Sequence, residues 1–221
     1  LYSLSQQDYQ KLEEMITKDR NLLNIKDCND RFLLHWAALA GREKLVEYIL
    51  SIKPEQLNDV DDTNATPLIL ATLAGHLETV KFLVSKGSDI NHKNWQGHSP
   101  LQYACSKGWL NIVTYLLEIG ANIDVVDSRN DSSLHRLAST GRLEILKFLL
   151  NWKQKPNINC QNNEGNTPLH IACEDEQNAC ALLLLENGAS ADIPNKEKKT
   201  ALDLCKPGLK RQIKNFLRIE D

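Results

Sequence analysis

The sequence predicts an all-α solenoid, a row of helix–turn–helix units that bury their apolar faces against one another. Three observations carry this expectation. Leucines recur as Leu34, Leu68, Leu101, Leu134, Leu169 and Leu202, at successive spacings of 34, 33, 33, 35 and 33 residues. Each opens a small-residue helix behind a capping signal, most clearly in Gly165-Asn166-Thr167-Pro168-Leu169-His170-Ile171-Ala172-Cys173. A second apolar stripe follows each at a fixed offset. A period of 20–50 residues is the signature of stacked units, none of which buries enough surface to fold alone.

The first element of each unit is a tight turn. Four residues before the leucine stand Asp30, Asn64, Gly97, Asn130, Gly165 and Lys198. Five of these six are types that tolerate positive φ. The first helix comes next. Thr66, Ser99, Ser132 and Thr167 supply a capping hydroxyl, and Pro67, Pro100 and Pro168 fill a position whose N–H would lack a partner anyway. Seven residues after the leucine, Gly41, Gly75, Gly108 and Gly141 close that helix. The second helix carries Val46, Val80, Val113 and Leu146, followed by Ile49-Leu50, Leu83-Val84, Leu116-Leu117 and Leu149-Leu150. That is one face at 3.6 residues per turn.

The ends read as caps. Leu12, Met15 and Ile16 match the second-helix stripe. Ile213, Phe216 and Leu217 form an apolar face opposite Lys210, Arg211, Lys214 and Arg218. The count is seven units in one domain, with approximate limits 1–27, 28–60, 61–93, 94–126, 127–161, 162–194 and 195–221. The fifth unit is two residues longer, and Asn151 to Pro156 is the place for the insertion. The sixth has Glu176 where the others have glycine, so its first helix is expected to end differently. Together the period, the T-P-L-H signature and the glycine-closed first helix resemble the ankyrin repeat, whose curved stack implies a binding face of loop tips and first helices.

Composition agrees with a folded chain: 42% of the 221 residues are hydrophobic and 25% charged. A formal net charge of −3 speaks against a nucleic-acid binder. No apolar run reaches the ~18 residues of a membrane span, and no basic-then-apolar leader precedes the first helix. The six cysteines (Cys28, Cys105, Cys160, Cys173, Cys180, Cys205) hold no C-x-x-C pair and read as buried, reduced thiols of a cytoplasmic or nuclear protein. No phosphate loop, nucleophile elbow, H-E-x-x-H or zinc spacing occurs, so no enzyme, metal site or cofactor is expected. His35, His135 and His170 share one repeat position, where an imidazole bonds the turn and the capping hydroxyl.

Function is therefore sought on the binding face. The loop-tip positions lie six, five and three residues before each leucine, and a further face position lies two after it. Among them Arg31, Trp36, Asp62, Trp95, His98, Tyr103, Arg129, Asp131, Arg136 and Glu164, with Lys107 on the same side, form the candidate protein-binding set. Tryptophan, tyrosine and arginine are the types enriched at binding hot spots. Arg136 stands out because it replaces an apolar or aromatic residue, and Trp95 because it is a large apolar side chain at a loop tip.

Several stretches resemble the gankyrin-like assembly chaperones of the proteasome regulatory particle. They are Asp30-Arg31 through Trp36-Ala37, Asn58 to Asp62, Tyr103 to Lys107, Leu134-His135-Arg136, Gly165 to Asp175 and Asn195 to Thr200. The resemblance implies a monomeric scaffold that binds the C-terminal domain of a proteasomal ATPase subunit through charge pairs, with Arg31, Asp62 and Lys107 at the matching positions. An acidic residue of that family is Asn29 here, and a tryptophan is Ala65. The family is also linked to cell-cycle regulators, a cyclin-dependent kinase and, through L-x-C-x-E, the retinoblastoma protein. Ile171, Cys173 and Asp175 keep only the central cysteine of that motif, so this activity is not carried over. The alternative is a general ankyrin-repeat adaptor or inhibitor acting on a kinase or transcription regulator.

Overall fold

The computed structural model describes residues 8–217. Among them the regular structure is helical, with one isolated bridge between Val126 and Ser132. The chain forms two compact units, one ending at Ala121 and the other beginning at Asn122.

The first unit contains α1 (Tyr9–Lys18), α2 (Leu33–Leu39), α3 (Glu43–Ile52), α4 (Pro67–Ala74), α5 (Leu77–Ser85), α6 (Pro100–Lys107) and α7 (Leu110–Glu118). Short 3₁₀ turns follow α1 (Arg20–Asn24) and α3 (Pro54–Asn58). The first helices form one layer, α2 on α4 and α4 on α6. The second helices form another, α3 on α5 and α5 on α7, with α1 against α3. The recurring leucines Leu34, Leu68 and Leu101 lie between the layers, fully buried, with Val46, Ile49, Val80, Leu83, Val113 and Leu116.

The second unit contains α8 (Ser133–Thr140), α9 (Leu143–Leu150), α10 (Pro168–Glu174), α11 (Asn178–Glu186), α12 (Ala201–Leu204) and α13 (Pro207–Leu217). Here α8 packs on α10, α10 on α12, and α9 on α11. Leu134 and Leu169 are buried, while Leu202, in the shortest helix, is half-buried.

Helix starts follow the predicted chemistry. Thr66, Ser99 and Thr167 accept from the backbone N–H three residues on. Ser99 and Gln102 complete a reciprocal capping box, with the Ser99 N–H donating to Gln102 Oε1 at 3.2 Å. His135 and His170 do the same through the ring. Nδ1 accepts from the Ser132 and Thr167 N–H groups at 3.1 Å each, and from their hydroxyls at 2.9 and 2.8 Å. The opposite ring edge, Nε2–H, donates to the next loop: His35 to the Asp59 carbonyl, His135 to Asn166 and His170 to Lys199. Burial pushes all three histidines down, His35 to about 4, so they are neutral structural pins.

All six turn residues four before the leucine have positive φ, from 56° at Asp30 to 79° at Gly97 and Gly165. As expected, the helix before Glu176 ends differently from α4, α6 and α8: it stops one residue earlier in the repeat and is capped by Asp175, while Glu176 itself adopts φ 57°, the left-handed conformation of the glycines it replaces. One expectation changes. On α13 the packed stripe is Leu209 and Ile213, one helical turn apart, whereas Phe216 and Leu217 remain exposed. Arg218 lies outside the described residues. Of the cysteines, Cys105, Cys173 and Cys180 are buried, Cys160 and Cys205 are half-buried, and Cys28 is exposed rather than buried because it sits at a loop tip; all are free thiols.

Among the described residues no helix is long and apolar enough to cross a membrane.

Candidate protein-binding surface

The loops that carry the candidate residues are built on one position of the repeat, occupied each time by Asp or Asn. Seven residues before each leucine stand Asp27, Asp61, Asn94, Asp127, Asn162 and Asn195. Each turns its Oδ1 back to accept from the backbone N–H groups two and four residues later. Asp61 takes Thr63 and Ala65 at 2.9 Å each, and Asn94 takes Gln96 and His98 at 3.1 and 2.9 Å. In the second unit Asp127 takes Arg129 and Asp131 at 2.8 and 2.9 Å, and Asn162 takes Glu164 and Asn166 at 3.0 Å each. Asp27 and Asn195 repeat the pattern. This local closure fixes each loop tip. Neighbouring tips are then tied by backbone bonds: Asp62 N–H to the Asn29 carbonyl and Trp95 N–H to Thr63 in the first unit, Asn163 to Arg129 and Lys196 to Glu164 in the second.

The residue three before each leucine donates into that closure, and in several repeats it folds beneath the tip, although Lys199 at the same position is exposed. Asp131 is accordingly buried rather than presented at the loop tip. It accepts from Asn162 Nδ2 at 2.8 Å and pairs with Arg129 at 3.1 Å. Ala65 and Asn166, which occupy the same position, are also buried.

The three turn aspartates place a second oxygen in service, and two of the three candidate arginines, Arg31 and Arg136, are engaged there. Arg31 Nε donates to Asp61 Oδ2 at 2.9 Å, against a carboxylate with no solvent exposure, and its guanidinium lies 5.0 Å from the centre of the Trp36 ring. Trp36 Nε1 in turn donates to Asp27 Oδ2 at 2.6 Å. Arg136 pairs with Asp127 Oδ2, also buried. Burial works to raise Asp27, Asp61 and Asp127, but it is outweighed. The Arg31 N–H and Trp36 indole hold Asp27 below the usual carboxylate range, the Thr63 hydroxyl and Ala65 N–H hold Asp61, and the Asp131 N–H and Arg136 hold Asp127. Arg31, Trp36 and Arg136 are therefore built into the scaffold, with one face left to solvent.

The exposed members differ. Asp62 and Lys107 are exposed in the first unit, and Arg129 and Glu164 in the second. Trp95 is 73% exposed, yet its indole N–H donates to the Asp62 carbonyl at 3.1 Å, so the ring is held in place. His98 meets Tyr103 edge to face, ring centres 5.3 Å apart, and the Tyr103 hydroxyl accepts from Asn94 Nδ2 at 3.0 Å. The candidate set is thus brought together as Arg31, Trp36, Asp62, Trp95, His98, Tyr103 and Lys107 in the first unit. Arg129, Asp131, Arg136 and Glu164 belong to the second. Cys173, at the centre of the altered L-x-C-x-E stretch, is buried. Among the described residues no group of three or more His, Cys, Asp or Glu is arranged to hold a metal ion.

Comparison with known proteins agrees with the repeat architecture. The family described as "Ankyrin repeats (3 copies)" matches residues 2–94, 92–160 and 134–207. The 26S proteasome non-ATPase regulatory subunit 10 of Dictyostelium discoideum is 38% identical over 79 residues, 36% of this chain and 34% of that protein. Palmitoyltransferase ZDHHC13 of Mus musculus is 37% identical over 190 residues, 85% of this chain and 30% of that protein. Oxysterol-binding protein-related protein 1 of Homo sapiens is 43% identical over 56 residues, 25% of this chain and 6% of that protein. The chain spans about a third or less of the length of each. With matches that run over nearly its whole length, helix pairs at a 33-residue interval and capped loop tips, the chain belongs to the ankyrin-repeat proteins.

Proposed function

We propose that this ankyrin-repeat protein-binding scaffold acts as a gankyrin-like chaperone, which takes the C-terminal domain of a proteasomal ATPase subunit on its loop-tip face during regulatory-particle assembly. It would act as a monomer, in the cytoplasm and nucleus, without catalysis of its own. The observation that carries the reading is the exposed row Asp62, Trp95 and Lys107 in the first unit, where both signs of charge flank an aromatic anchor. The 38% identity to a proteasome regulatory subunit supports the choice of partner. Complementary charge of this kind sets register and association rate more than affinity.

The test uses Asp62 and Lys107 rather than Arg31, whose reversal would leave the buried Asp61 carboxylate unpaired and confound binding with folding. A variant with Asp62→Lys and Lys107→Glu, titrated with the ATPase C-terminal domain at two salt concentrations, should bind more weakly at low salt and lose most of its salt dependence. Unchanged affinity at both would remove the assignment.

A general ankyrin-repeat adaptor is the second reading. It is favoured by the longer match, 85% of the chain, to a protein whose name refers to palmitoyl transfer rather than to the proteasome. Pull-down with the full chain separates the two: proteasomal ATPase subunits in the eluate support the chaperone, and a kinase or transcription regulator in their place supports the adaptor.

A further inference from the structure

Trp95 is the most exposed large apolar side chain among the described residues, and tryptophan is among the types enriched at binding hot spots. It is also fixed. Its backbone N–H donates to Thr63 at 3.0 Å and its indole N–H to the Asp62 carbonyl at 3.1 Å, both on the preceding loop. With the polar edge of the indole occupied, what remains open to solvent is the π-face, which carries negative electrostatic potential. The residue bonded to that edge, Asp62, has an exposed side chain, and no cation pairs with its carboxylate among the described residues.

The same chain shows what completes such an arrangement. In the same unit, the Arg31 guanidinium lies 5.0 Å from the centre of the Trp36 ring and pairs at 2.9 Å with Asp61. There an indole, a guanidinium and a loop carboxylate form a closed set. At Trp95 and Asp62 the indole and the carboxylate recur on adjoining loop tips, and the guanidinium is missing.

We propose that Trp95 and Asp62 form a receptor for an arginine side chain of a protein partner, with the guanidinium lying on the indole face and paired with the Asp62 carboxylate. The inference rests on the protein-binding reading above and adds the chemistry that the partner must present. Arginine suits the site better than lysine. Its planar guanidinium stacks on an aromatic face and still offers N–H groups in its plane to a carboxylate, whereas an ammonium is a strongly hydrated point charge. Because two hydrogen bonds already order Trp95, binding costs little further entropy at the ring.

The full chain, labelled with ¹⁵N, is titrated with the capped tripeptide Gly-Arg-Gly and with its citrulline counterpart, which has the same shape and no charge. The Trp95 indole N–H resonance is assigned by its loss in Trp95→Phe. The arginine peptide should shift it, the citrulline peptide should shift it far less, and Asp62→Asn should weaken the arginine response about two- to fivefold. An unmoved Trp95 resonance, or equal responses to arginine and citrulline, overturns the proposal. Self-association of the chain that Trp95→Ala abolishes would also overturn it, since the occupant would then be a second copy. The ATPase assignment fails separately. If the ATPase domain does not bind while the arginine peptide still moves Trp95, only the identity of the partner falls. If the ATPase domain binds Trp95→Ala at full affinity, the receptor falls and the chaperone reading survives.

Discussion

Asp127 does two things with one carboxylate. Its Oδ1 closes the loop by accepting from the Arg129 and Asp131 N–H groups, and its Oδ2 takes the Arg136 guanidinium. The two roles separate by substitution. Asn94, Asn162 and Asn195 show that an asparagine closes the same loop with Oδ1 alone. Asp127→Asn should therefore keep the turn and lose only the charged partner of Arg136, at about 1 kcal/mol. Asp127→Ala removes the loop closure as well and strands the Arg129 and Asp131 N–H groups, at about 3 kcal/mol. Urea unfolding of the two variants checks the order: equal costs would mean that the loop closure contributes nothing. This residue also marks the limit of what the sequence made legible. Arg136 is conspicuous because it breaks an apolar column, and that anomaly invites a binding role. Its cause is Asp127, nine residues earlier in a column of ordinary turn residues. The signal was present, since every occupant of that column is Asp or Asn and in three repeats the residue nine later bonds its second side-chain atom, Trp36 with Asp27, Tyr103 with Asn94 and Arg136 with Asp127, but Trp, Tyr and Arg share no sequence class. The three imidazole pins, by contrast, were legible from repetition alone.

At the scale of the element, each helix pair is locked to the one before it by the residue that follows the helix-closing turn. His76 Nε2–H donates to the Leu39 carbonyl at 3.1 Å and Trp109 Nε1–H to Leu73 at 3.4 Å in the first unit. Gln177 Nε2–H donates to Ser139 at 3.4 Å in the second. Each of these side chains also lies over a glycine of the preceding pair. A Cβ on Gly75, where φ is 85°, would sit 2.6 Å from Trp109 Cε2. At Gly87, where φ is 96°, a Cβ would meet nothing within 4 Å. Gly87→Ala should cost the left-handed backbone term alone, roughly 1–2 kcal/mol. Gly75→Ala should cost at least about 1 kcal/mol more, because Trp109 must move. Denaturant midpoints that place the two together would show that Trp109 yields freely. The buried leucine between the layers gives a separate check. Leu101→Ala should cost ~2–5 kcal/mol by opening a cavity between the stacked helices, and a change within ~0.5 kcal/mol would contradict its burial. The glycine column was legible as a helix stop, while its second duty of admitting the next pair's side chain was not, because His, Trp and Gln share no sequence class. Glu176 shows the same from the other side: backbone geometry is preserved where residue type is not.

At the scale of the whole molecule, the imidazole pins make stability depend on pH. His35 in the first unit and His135 and His170 in the second are held neutral by burial, with His35 pushed down to about 4. The nearby Asp61 carboxylate favours the charged form of His35, and Arg31 and Lys26 oppose it, but burial dominates. In the unfolded chain a histidine titrates near 6.5. Below that pH the unfolded state binds protons that the native state refuses, so stability falls as pH drops from about 6.5 toward the native values. For His35 alone the loss between pH 7 and pH 4.5 should be about 2–3 kcal/mol, at 1.36 kcal/mol per unit of displacement. The turn aspartates contribute in the opposite part of the scale. Their lowered values add stability that persists through this window and is lost only as pH falls below the ordinary carboxylate value near 3.9, so they do not obscure the effect. The chain itself supplies the control. Gln102 occupies the position of these histidines in its own repeat, where Oε1 accepts from the Ser99 N–H as the imidazole Nδ1 does elsewhere, and it cannot titrate. The triple variant His35→Gln, His135→Gln, His170→Gln should keep the capping bonds while losing the ring's reach to the next loop. It should be less stable than the parent at pH 7, yet nearly flat between pH 7 and pH 4.5, so that the two stability curves converge as the solution is acidified. Parallel curves in urea titrations across that range would mean that the acid sensitivity resides elsewhere.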